Sequence, residues 1–148
     1  MELSDFDYKE DNFEKELRKA DTGFRRAKEY FFDRFDHWHR LIDVKLSKNV
    51  VLNEELAANK ASGEVLGKQF ALHLSPVFRG EHGLAAVLLT LKDPVNGKAI
   101  ELDRFYIDVN GDVLSKEGET LLNSQDDLAS IKLFYAILRR VLKAEPWA

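Results

Sequence analysis

From Phe13 onward the apolar positions recur at helical spacing. Phe13, Leu17, Ala20, Phe24, Ala27 and Phe31 lie 4, 3, 4, 3 and 4 residues apart, a heptad-like seam on one face of a helix. The opposite face carries Glu14, Lys15, Arg18, Lys19, Arg25 and Glu29. Glu14 with Arg18, and Asp36 with Arg40, stand at i, i+4 in the order that favours intrahelical ion pairs. After Phe31 the seam drifts to Phe35, Trp38 and Leu41/Ile42, while Tyr30 and Phe32 widen it. Five of the nine residues from Tyr30 to Trp38 are aromatic, more apolar surface than one helix can leave in water. The pattern predicts a helix over 12–46, kinked at Thr22-Gly23, with its aromatic half as the hub of the fold.

The period then changes. Val50-Val51-Leu52 reads as a short extended piece. Asn53 followed by Glu54-Glu55 reads as the N-cap of a short helix reaching Lys60, ended by Ala61-Ser62-Gly63. From 64 to 115 the alternation is that of strands. In Val65 to Leu74, Phe70, Leu72 and Leu74 share one face, and Pro76 ends the strand. Leu84 to Leu91 is apolar throughout, as expected of a strand covered on both faces. Ala99 to Val109 changes phase between Ile100/Leu102 and Phe105/Ile107/Val109, which predicts a β-bulge near Asp103-Arg104. Asn110-Gly111 predicts a type I′ hairpin into a short strand over 112–115. Lys116 to Asn123 reads as a loop.

The last helix is predicted over 124–144, with Ser124 as N-cap and Asp127 at the capping-box position. Its core stripe is Leu128, Ile131, Phe134, Tyr135, Leu138, Val141 and Leu142, broadened by Leu133 and Ile137. The expected fold class is therefore α+β: one domain over 1–148, with a long N-terminal helix packed on a three- to four-stranded antiparallel meander and a buried C-terminal helix. Residues 1–11 form an acidic, frayed leading segment. This order of elements is similar to that of the cystatin-like and nuclear-transport-factor-like folds, and to that of small acidic bacterial secretion chaperones and immunity proteins. The first resemblance implies a sheet that curls round the long helix.

Composition narrows the chemistry. The chain has 148 residues, one domain's worth, and a net charge of −4. Residues 1–50 hold 11 Lys/Arg against 12 Asp/Glu, leaving 11 against 14 in the remainder. Neither part creates a field that would recruit nucleic acid or an anionic membrane. The basic stretch Lys15, Arg18, Lys19, Arg25, Arg26, Lys28 is interleaved with Glu16, Asp21 and Glu29, which repel phosphate, so direct nucleic-acid binding is not expected. The chain has no cysteine, which removes disulfides, thiolate metal sites and a cysteine nucleophile. The leading residues carry no apolar run of a secretory signal, and the longest apolar run is too short to span a bilayer. A cytoplasmic location without membrane association is the expectation.

No catalytic, cofactor or metal site is expected. His37 and His39 stand about 200° apart round a helix and cannot chelate one ion together, and no HExxH pattern is present. Asp108-Val109-Asn110-Gly111-Asp112 places its glycine wrongly for a calcium loop. No phosphate-binding glycine loop or nucleophile elbow occurs. Two functional expectations follow. The first is a non-catalytic interaction module (an adaptor, chaperone or toxin-neutralising partner, in dimeric form or on another protein) that docks through Phe13, Leu17, Phe24 and Arg25. The second is a small-molecule-binding protein or enzyme with a pocket between the long helix and the sheet, served by Tyr30, Trp38, His73, Glu101, Asp103 and Tyr106.

Overall fold

A computed structural model describes residues 1–9 and 11–147; Glu10, part of the acidic leading segment, lies outside them. Three helices, α1 (Asn12–Asp33), α2 (Phe35–Val44) and α3 (Ala129–Lys143), lie on the inner face of a curled antiparallel sheet. The sheet has seven strands: β1 (Val50–Glu55), β2 (Lys60–Val65), β3 (Lys68–Arg79), β4 (His82–Lys92), β5 (Ala99–Ile107), β6 (Val113–Leu114) and β7 (Thr120–Leu122). Each pairs with the next in a plain meander. The α+β class and the antiparallel sheet are as expected, but three to four strands was too few.

α1 and α2 are one long helix bent at Arg34. There the backbone tightens: the Arg34 N–H donates to Phe31 O at 3.4 Å, and the Trp38 N–H resumes with Arg34 O at 3.0 Å. The bend is therefore eleven residues beyond the expected kink at Thr22-Gly23, through which the helix runs unbroken. Gly23 has a different task. A Cβ built on it would sit 2.5 Å from Gly83 Cα, and one on Gly83 would sit 2.5 Å from Lys19 O and 2.6 Å from Ala20 O. Helix and strand backbones touch here, and only two facing glycines permit it. The helix ends before 46, where Ser47 and Lys48 both turn to positive φ.

The sheet begins earlier than expected. Asn53, Glu54 and Glu55 finish β1 instead of capping a helix, because Val50 and Leu52 fill the inner face while Ala61 and Val65 of β2 lie beside them. Only a 3-10 turn, Leu56–Ala58, remains of the expected helix, closed by Asn59 at φ 51°. Nor does Pro76 end β3, which pairs with β4 as far as Arg79. The Leu74 N–H points towards β2, donating to Asn59 O at 2.8 Å. Position 76 points the same way by alternation, beyond the end of β2, so a residue lacking an N–H leaves no bond unmade. β4 is covered on its inner face by Ala85, Val87, Leu89 and Leu91, but on the outer face Ala86 and Leu88 remain half-exposed.

The bulge in β5 is present. Leu89 faces Asp103 and Thr90 faces Glu101, which leaves Leu102 as the extra residue. The following hairpin departs from type I′: of its two central residues only Gly111 has positive φ, and its N–H donates to Asp108 O at 3.0 Å. Within the expected loop 116–123, Thr120–Leu122 adds the last strand. α3 starts at Ala129, five residues late, because 123–128 are taken up by turns. Asn123 and Asp126 accept the Gln125 and Leu128 N–H groups with their side chains, both at 2.8 Å. Its buried stripe is Ala129, Leu133, Phe134, Ile137, Leu138 and Val141, which is rotated from the expected one and leaves Leu128 and Leu142 exposed. Lys68, the first residue of β3, donates to the carbonyls of Val141, Leu142 and Ala144 at the end of α3. A cation thereby satisfies acceptors that the helix cannot.

The aromatic hub is the centre of the core. Phe31, Phe35 and Trp38 are almost fully buried. Trp38 stacks on Phe134 of α3 at 4.7 Å between ring centroids and 9° between planes, and meets Phe31 edge-on. The Trp38 indole N–H donates to Ser130 O and Oγ, both at 3.0 Å, and His37 Nδ1 lies 2.9 Å from the same Oγ. This polar edge ties the start of α3 to α2.

Candidate functional site

α1 divides into two parts. From Phe24 its seam is buried against β3 and β4. Its backbone rests on β4 from Lys19, and before that point the helix runs past the covered part of the sheet, leaving Phe13 69% and Leu17 57% exposed. Beside this ridge lies an open groove of about 570 Å³ whose walls include Phe13, Leu17, Phe24, Pro76 and Phe78, with Glu16 and Asp21 at its rim. The groove has a structural origin: β2 begins only at Lys60, opposite His73, while β3 continues to Arg79, so among the described residues no strand pairs with the β2-facing edge of the last residues of β3. Among the four expected docking residues, Phe13 and Leu17 form the ridge and Phe24, nearly buried, floors its inner end. Arg25 lies on the solvent side, paired with Asp21 at 3.1 Å. Neither the Glu14–Arg18 nor the Asp36–Arg40 pair forms among the described residues, as is common for exposed i, i+4 charges whose pairing is worth little.

The six expected pocket residues do not converge. Trp38 is sealed in the core. Tyr30 is half-exposed and packs against Gly111, where a Cβ would come within 2.9 Å of its ring. His73, Glu101 and Tyr106 stand on the outer face of the sheet, and Asp103 on the inner face. The bulge separates the two carboxylates: residues two apart normally share a face, but the extra Leu102 turns Glu101 outward beside Thr90 and Asp103 inward beside Leu89. Each finds an arginine, Glu101 forming an ion pair with Arg104, and Asp103 with Arg140 at 3.3 Å. The Arg104 guanidinium holds the Glu101 carboxyl below its usual range, by hydrogen bonding first. Tyr106 lies beneath Arg79, whose guanidinium carbon is 4.4 Å from the ring centroid. Burial first, and the charge of Lys60 second, hold the His73 imidazole below its ordinary value.

Three other features were not visible from sequence. An apolar recess of about 260 Å³ lies between α3 and β5–β7, floored by Phe105, Val113 and Ile137 and flanked by Lys132 and Arg140. Both cations are already paired, Lys132 with Asp126 and Arg140 with Asp103. Arg34, at the bend, donates to Gly111 O at 2.9 Å and leaves its buried Nη1 without a partner among the described residues. Burial lowers its pKa from the ordinary value, partly offset by Asp112. His39 of α2 pairs with Glu54 of β1. The Arg140–Asp103, Arg34–Gly111 and His39–Glu54 pairs are distant in sequence and meet only through the fold, whereas Lys132 reaches Asp126 across the turn that leads into α3.

Among the described residues no three His, Cys, Asp or Glu side chains stand close enough to hold one metal ion, and no helix is long and apolar enough to cross a membrane. No protein-family model, curated protein or solved structure matches the chain.

Proposed function

We propose that the protein is a non-catalytic interaction module, of the kind that serves as an adaptor, a chaperone or a toxin-neutralising partner, and that it takes another polypeptide on the α1 ridge. The observation that carries this reading is the ridge itself: two helical turns held beyond the sheet with Phe13 and Leu17 in solvent, above a groove walled by Pro76 and Phe78. Large apolar residues exposed together beside a concavity mark a contact surface, whereas isolated ones do not. The helix is anchored by its other half, so the ridge can be altered without touching the core.

Leu17→Glu tests this. Immobilised wild-type protein is expected to retain a polypeptide partner, either a second copy or a protein from the native host. The variant should lose it while keeping its far-UV circular dichroism and its unfolding midpoint, since an exposed substitution changes stability by only about 0.5 kcal/mol. A partner held equally well by both proteins, or no partner at all, contradicts the reading.

A further inference from the structure

We propose that the end of the sheet away from the α1 ridge docks on an anionic lipid surface, with Leu66, Val95 and Trp147 entering the interface and the surrounding lysines facing the headgroups. This surface is separate from the ridge. β3 reaches both: Pro76 and Phe78 wall the ridge groove, while Lys68 and Gln69 lie here, about 25 Å away along the strand.

Three observations carry it. The first is a sorting of charge by the fold. Four connections meet at this end: the α2–β1 loop, the β2–β3 turn, the β4–β5 turn and the tail after α3. The Leu66 N–H donates to Asn49 O at 3.2 Å, Lys68 reaches the last carbonyls of α3, and both turns and the tail line one open concavity of about 640 Å³. These segments bring together Lys45, Lys48, Lys68, Lys92, Lys98 and Lys143 against Asp93 and Glu145, in a chain whose net charge is −4. The residues adjoining them add Asp43 and Glu64, but also Arg139 and Arg140, so the balance stays positive. None of the six lysines forms an ion pair among the described residues. The expectation of no membrane association rested on the even charge of two lengths of chain, and the fold gathers lysines from both.

The second is the apolar tips among these charges. Leu66, Val95 and Trp147 are each more than two-thirds exposed, and each stands on a different connection. All three line the same concavity. Tryptophan and lysine-flanked apolar tips suit the boundary between headgroups and acyl chains.

The third is Leu66 itself. Val65 pairs with Lys68, so Leu66 and Gly67 form the whole turn, and both have positive φ, 48° and 84°. Two-residue turns of this kind favour Asn-Gly. A leucine there is strained, and this one is not buried in return. A strained apolar side chain held in solvent marks a contact outside the fold. A polypeptide suits the surface less well. Its six cations are all lysines, point charges matched to a layer of headgroups, and the tips lack the planar guanidinium that takes a peptide carboxylate in two bonds.

Flotation of the full chain with vesicles tests the proposal. The protein is expected to float with phosphatidylcholine vesicles containing about 30% phosphatidylserine and to stay behind with phosphatidylcholine alone. Binding should fall tenfold or more as salt rises from about 50 to about 300 mM. Trp147 fluorescence should shift to shorter wavelength on binding, while Trp38, sealed in the core, adds no change. Leu66→Asn should weaken binding roughly tenfold yet keep or raise the unfolding midpoint, because asparagine suits the turn. Lys98→Glu should weaken it tenfold or more, and Leu17→Glu should leave it unchanged. No flotation with the anionic vesicles at the lower salt, or equal flotation with neutral ones, overturns the proposal. Binding that ignores Leu66→Asn and Lys98→Glu, or that Leu17→Glu abolishes, does so as well. A Trp147 shift given by polyglutamate and not by vesicles would also overturn it, making the occupant an acidic polypeptide. Partner capture on the ridge stands or falls separately, through Leu17→Glu.

Discussion

Gly23→Ala is expected to destabilise the protein by about 2–3 kcal/mol, the upper range for overpacking, although alanine is the better helix former. At an exposed helical position the same change would gain about 1 kcal/mol, so the sign of the effect decides. The added methyl would lie 2.5 Å from Gly83 Cα, a backbone atom in a central strand that cannot swing aside as a side-chain tip would. Accommodation requires α1 to lift from β4, which loosens the burial of Phe24 and Ala27 in the same helix. Gly83→Ala meets Lys19 O and Ala20 O and is expected to behave alike. Thr22→Ala, one residue away and exposed, is the control and should be neutral or slightly stabilising. Urea unfolding of the three variants checks this; a stabilising Gly23→Ala would mean that the helix does not rest on the strand.

Trp38→Ala is expected to cost about 3–5 kcal/mol, as for other large-to-small core substitutions. Trp38 joins α2 to α3 through its stack on Phe134 and its indole bond to Ser130. Truncation opens a cavity at the centre of the core and leaves the Ser130 edge to His37 alone. Trp38→Phe keeps most of the ring surface but drops the donor, and should cost about 1–2 kcal/mol. Both are read from denaturant midpoints. If Trp38→Ala unfolded within 1 kcal/mol of wild type, the hub described here would not be the hub.

Much of this was legible in the sequence, for reasons that can be located. The density of aromatics between Tyr30 and Trp38 demanded a buried position, and it has one. The phase change in β5 announced a bulge, which lies at Leu102, next to the expected Asp103-Arg104. Spacing alone could not say how far the sheet would follow the helix. Phe13 and Leu17 continue the seam of Phe24 and Phe31 without interruption, yet the sheet meets only the later members. β1 was expected only as the extended piece Val50–Leu52, and β2 and β7 went unrecognised; these stretches are short or carry Asn, Glu, Ser and Gly, so local propensity argued for turns and caps while pairing with neighbours decided otherwise. Pro76 misled for the complementary reason: its tolerance depends on the end of a different strand. In the candidate site, the ridge was foreseeable from periodicity and the groove beside it was not, because Pro76 and Phe78 reach it only through the meander.

The central claim is that α1 performs two tasks, anchoring the fold from Lys19 onward and offering a surface before it. Hydrogen–deuterium exchange along the helix in the Leu17→Glu variant, where the ridge contact is removed, tests it most directly. Amides from 27 to 33 should exchange only with global unfolding, and those from 15 to 18 should exchange by local opening, faster by orders of magnitude. Equal protection of the two stretches would contradict the account, since it would show the whole helix to be held by the fold.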